Sequence, residues 1–71
     1  MCLAIPGKIQ SINKDKIASI DFDGVMRSAS MDMLPNAKVG DYVLVHAGFA
    51  IEIVDEAEAK KTLDLYKELN A

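Results

Sequence analysis

The alternation of apolar and polar positions changes character once along the chain, near Asp55. Before it, short runs rich in Val, Ile, Tyr and Phe are separated by turn residues; after it, Ala, Glu, Lys and Leu dominate. Short runs of the first kind read as strands, and the final segment reads as a helix. The first predicted strand, about Lys8–Ile12, stops at the polar stretch Asn13-Lys14-Asp15-Lys16. The second, Ile17–Phe22, places Ala18, Ile20 and Phe22 on one face and Ser19 and Asp21 on the other. Asp23-Gly24 then suits a type I′ hairpin turn, since both residues tolerate positive φ. The third strand runs from Val25 to Ser30 or Met31 and is broken by Leu34-Pro35-Asn36, because proline cannot donate to a ladder. Val39-Gly40-Asp41 leads into the fourth, Tyr42–His46; Ala47-Gly48 makes a second tight turn, and Phe49–Val54 is the fifth. Closing five short hairpin-linked strands removes the open edges of a flat sheet, which predicts a small antiparallel barrel.

The helix is predicted from about Glu56 to Leu69. Asp55 caps it, and Glu58 three positions later completes a capping-box pattern with Asp in the Ser/Thr role. Ala59, Leu63 and Tyr66 form a stripe flanked by Leu65 and Leu69, which predicts packing on the barrel, because an isolated helix of this length is marginal in water. The chain thus reads as one domain over residues 1–71: a mainly β barrel with its N-terminal segment over 1–54, and a helical segment over 55–71.

Seventy-one residues lie near the lower limit for folding without disulfides or a structural metal. So small a core does not readily enclose a deep catalytic pocket, and no enzyme activity is expected. Eight Lys and Arg against eleven Asp and Glu give a charge of −3, and only Lys60-Lys61 are adjacent cations. Nucleic-acid affinity comes from clustered positive charge, so that partner is not expected. The single cysteine, Cys2, excludes an intramolecular disulfide and fits a reducing compartment. The opening residues carry no basic stretch and no long apolar run, so neither a signal peptide nor a membrane span is expected, and the expected location is cytoplasmic.

The candidates for chemistry reduce to Cys2 and His46. If Met1 is removed, the Cys2 amine stands beside its own thiol, and a protonated amine favours the thiolate, the form that binds metals. The alternative is a small apolar residue tucked against the barrel. His46, the only histidine, ends the fourth strand at a predicted rim. Neutral imidazole is a good ligand for iron, zinc or copper, while the alternative is an ordinary surface histidine. Pro6-Gly7 is read as letting the N-terminal segment fold back, and the residues from Cys2 to Lys8 reach up to about 20 Å. A thiolate and an imidazole make half a metal site, which suits a carrier. Tyr42 and Leu44 share a face with His46, yet Val43 and Val45 are equally apolar; either the helix covers one face or a binding surface remains. Met26, Met31 and Met33 gather around the third strand as adaptable surface or as core.

Met1-Cys2-Leu3-Ala4-Ile5-Pro6-Gly7-Lys8 closely resembles the N-terminal signature of the HypC/HupF hydrogenase maturation chaperones, and Val39 to Ile51 resembles that family's second block. The resemblance covers essentially the whole chain. It implies an OB-like barrel with a C-terminal helix. It also implies a chaperone that joins the scaffold protein HypD and carries an Fe(CN)2CO unit to the precursor of the nickel–iron hydrogenase large subunit. Carried over, Cys2 is the iron or partner contact and His46 the supporting ligand. The partner-binding surface is then expected to include Cys2, Leu3, Ala4, Ile5, Pro6 and Gly7, with Tyr42, Leu44 and His46. Iron is cargo in this reading, with no permanently bound cofactor. Two rival readings are a small OB-like module for single-stranded nucleic acid, which needs a basic groove and stacking aromatics, and a thiol redox protein, which needs a second cysteine.

Overall fold

The computed structural model describes residues 5–69, the side chain of Tyr66 excepted. Five strands form in chain order, β1 (Gly7–Ile12), β2 (Ile17–Phe22), β3 (Val25–Ser30), β4 (Tyr42–His46) and β5 (Phe49–Val54), and are followed by α1 (Glu56–Leu69). The strands close into a barrel in the order β1-β2-β3-β5-β4, with β4 returning to β1. The mainly β barrel with one C-terminal helix agrees with the sequence reading, as do both tight turns. Asp23 and Gly24 have φ of 54° and 94°, and Ala47 and Gly48 have 52° and 83°. The Asp21 side chain accepts a 2.7 Å hydrogen bond from the Gly24 N–H and fixes the first of these turns.

The expectation of uniformly antiparallel pairing is corrected at one seam. β3 and β5 run parallel and meet at a single pair, Ser30 with Phe49. β4 and β5 form a hairpin, and β4 is committed to β1 on its other side, so β5 reaches β3 with the parallel sense.

Two bulges decide which side chains turn inward. On β1, Ile9 faces Ile20 while Ser11 faces Ser19, so Gln10 is the extra residue. It resets the alternation and lets both Ile9 and Ile12, three apart, contribute to the interior. On β5, Glu52 faces Leu44 while Ala50 faces Val45, and Ile51 is extra. The core comprises Ile9, Ala18, Ile20, Phe22, Ala29, Met31, Val43, Val45 and Ala50, with Ile5, Ile12, Leu34 and Ala37 packed against it. The three methionines divide: Met31 is core, whereas Met26 and Met33 are 51% and 60% exposed.

The helix start follows the sequence. Asp55 accepts hydrogen bonds from the Ala57 and Glu58 N–H groups at 3.1 and 3.3 Å, which satisfies two donors that a helix N-terminus leaves free. Lys60 and Glu56 pair at 3.3 Å one turn apart.

Gly7 is the tightest point of the barrel. It is buried at the start of β1, and a Cβ there would lie 2.6 and 2.8 Å from ring carbons of Phe22 and overlap the Ile20 side chain as well. Its role is close packing inside β1. Gly7→Ala is therefore expected to cost on the order of 1–3 kcal/mol through overpacking. Urea unfolding checks this, and an unchanged midpoint would show that β1 has room to move.

Candidate functional site

β1 and β4 are antiparallel, with Gly7 opposite Val43 and Lys8 opposite Tyr42. The chain thus enters β1 at the end of the barrel where β4 finishes. That end carries His46 and the Ala47-Gly48 turn, whose Gly48 carbonyl accepts the Ser30 N–H at the end of β3, whereas Asp23 lies beside Lys8 and Tyr42, where β4 begins. The sequence-predicted position of His46 at a rim is what the fold gives: the imidazole is exposed, and its cross-strand neighbour is Phe49, itself 41% exposed. Ile5 is half-buried against the core, and Pro6 and Gly7 are buried. Cys2, Leu3 and Ala4 lie outside the described residues.

Tyr42 and Leu44 have a different environment. Val43 and Val45 turn into the core, and α1 lies over the opposite face of β4. Leu44 shares a cleft of about 180 Å³ with Pro6 and Val54 from the barrel and Ala59 and Thr62 from the helix. Tyr42 floors a neighbouring groove of about 310 Å³ between barrel and helix, together with Lys8 and Leu63. Ala59 is only 1% exposed and is the closest point of helix packing. Of the two readings left open for this face, the helix takes part of it: Tyr42 is buried beside α1, and Leu44 is half-buried. The far end of the helix is tied by Lys67, whose ammonium lies 3.3 Å from Asp23. Both side chains are well exposed, so this pair is worth at most about 1 kcal/mol and weakens with salt.

The apolar surface that remains at the rim is Phe49 with the bulged Ile51, both on β5. Sequence reasoning missed this pair, because nothing in a run as apolar as Phe49–Val54 says which face turns in. The clue was Ala50, small enough to sit under Val45. Among the described side chains, no three His, Cys, Asp or Glu groups gather closely enough to hold a metal ion, and His46 is a single donor. Phe22 and Tyr42 are buried, so among the described aromatic side chains only Phe49 offers a face for stacking, too little for single-stranded nucleic acid. No described helix is long and apolar enough to cross a membrane.

The fold and this rim define a small OB-like barrel with an exposed histidine beside the point where its N-terminal segment enters. Residues 1–66 match the HupF/HypC family, and the chain belongs to that family. It is 47% identical over 68 residues to the hydrogenase maturation factor HypC of Synechocystis, covering 89% of this chain and 90% of that protein. It is 44% identical over 69 residues to HypC of Cupriavidus necator, covering 97% and 77%. The hydrogenase maturation factor HybG of Escherichia coli K12 is 34% identical over 76 residues, covering 99% and 93%.

Because Ala59 leaves no space under the helix, Ala59→Arg is expected to lift α1 from β4 and uncover Tyr42 and Leu44. A stability loss of at least about 1–3 kcal/mol and binding of a hydrophobic dye report this. If neither changes, the helix is not what covers this face.

Proposed function

We propose that this protein is a hydrogenase maturation chaperone that receives an Fe(CN)2CO unit on a HypD-type scaffold and delivers it to the large-subunit precursor of a nickel–iron hydrogenase. One observation supports the reading beyond family membership: β1 is entered from the side toward which β4 runs to His46, and Ile5, just before β1, packs against the core. Cys2 is three residues further back, a reach of up to about 10 Å. A thiolate is a soft donor and an imidazole a borderline one, a combination suited to iron. The two together leave most of the iron's coordination to the diatomic ligands and to a partner. Such a site binds firmly only within a complex and releases its cargo when the complex changes.

Scaffold and precursor take turns on one surface in this reading. A typical stable interface covers about 800 Å² of each partner. The rim around His46, the N-terminal segment and the exposed Phe49 and Ile51 supply one such surface, while the helix occupies the outer face of β4. Synthesis of cyanide and carbon monoxide belongs to other proteins, and this chain holds and transfers.

Cys2→Ser is expected to abolish hydrogenase maturation in cells while changing stability by no more than about 0.5 kcal/mol, because a hydroxyl is a poor ligand for a soft iron centre. Full hydrogenase activity in Cys2→Ser cells would remove the thiol from the mechanism. His46→Ala is expected to lower the iron recovered with the purified scaffold complex without preventing the complex from forming. Equal iron content in both would return His46 to the status of a surface histidine.

A further inference from the structure

β3 pairs with β2 along its whole length, from Val25 opposite Phe22 to Ser30 opposite Ile17, with no shift of register. Its other edge meets β5 only at Ser30, whose N–H donates a 2.8 Å hydrogen bond to the Gly48 carbonyl. In an antiparallel ladder, backbone groups alternate between the two sides of a strand. Ser28 and Met26, two and four residues before Ser30, therefore direct their N–H and C=O groups the same way, away from β2. β5 begins at Phe49, and the chain has already turned back into β4, so nothing described lies opposite them. Among the described residues, neither N–H has an acceptor. This edge is bulge-free; it begins beside the Asp23-Gly24 turn and ends at Ser30, beside the Ala47-Gly48 turn that follows His46.

We propose that the free edge of β3, from Val25 to Ala29, takes up an extended segment of a partner protein as an added antiparallel strand, with an acidic side chain opposite Arg27. The backbone groups of Met26 and Ser28 supply the main-chain bonds of β-strand addition. Val25 and Met26, on opposite faces and both about half exposed, offer apolar contacts on either side. Arg27 follows them on the same face as Val25, and among the described residues no carboxylate is within ion-pair distance of it. That cation also argues against a second copy as the occupant. The two-fold pairing that uses both Met26 and Ser28 sets Arg27 against its own counterpart, and like charges directly opposite are destabilising. The proposal holds whatever cargo the rim carries.

The test uses the full chain labelled with 15N and a blocked heptapeptide of alternating valine and threonine around a central glutamate. Expected are saturable shifts confined to residues 25–29 and roughly tenfold or greater slowing of amide exchange at Met26 and Ser28 on saturation. Ser28→Pro removes one of the edge N–H groups and is tolerated on a free edge, so it should keep the fold and lose the binding. Should that variant fail to fold, Met26→Pro serves, and the exchange measurement needs no variant. Arg27→Glu should reverse the preference toward a lysine-centred peptide. The proposal is overturned by absent binding, by protection elsewhere, by equal binding of both peptides, or by Ser28→Pro binding unchanged. It is also overturned if Met26 and Ser28 are already protected in a concentration-dependent dimer of the free protein.

Discussion

The close approach of β1 to Ile20 and Phe22 is the constraint on which the rest of the molecule depends. Only a residue without a side chain fits at Gly7. Because β1 lies so low there, the preceding residues continue along the barrel wall: Ile5 reaches the core, and Pro6 meets Leu44 beneath the helix. One steric fact therefore sets where the N-terminal segment arrives, which face of β4 the helix covers and which end of the barrel becomes the rim.

Much of this was legible in the sequence, and the misses share a cause. Strand positions followed from period-two runs and turn chemistry; Asp23-Gly24 and Ala47-Gly48 both adopt the positive φ those residues permit. The helix start was written in Asp55, and of the two readings the doubly apolar β4 left open, the one with the helix against one face matches the fold. What could not be read were features set by distant partners. A bulge such as Gln10 or Ile51 leaves no compositional mark, since it is defined by the strand opposite. The parallel contact between β3 and β5 rests on one residue pair separated by the whole of β4. The packing role of Gly7 was not legible because its neighbours in space, Ile20 and Phe22, are far away in the chain. For the site, a histidine at the end of a strand before a tight turn was enough to place His46 at a rim, whereas Cys2 falls outside the described residues.

A domain this small divides its surface closely. The barrel interior uses one face of every strand, and α1 uses the outer face of β4 with part of β1 and β2. Among the surfaces left for other molecules are the rim and the flank where β3 and β5 part company. These adjoin each other, so contacts along the flank and chemistry at the rim are neighbours by construction.

The junction between barrel and helix has a mechanical consequence. Only Asp55 separates β5 from α1, and fourteen helical residues extend about 21 Å from it. The helix is thus a rigid lever on a one-residue pivot, and a rotation of about 10° at the pivot sweeps its tip through nearly 4 Å. The Lys67–Asp23 pair sits near that tip, where any restraint has its greatest leverage. The base of the arm is held by Ala59 against the barrel, so loss of the ion pair at high salt bears on the tip, where a small change of angle moves the side chains most.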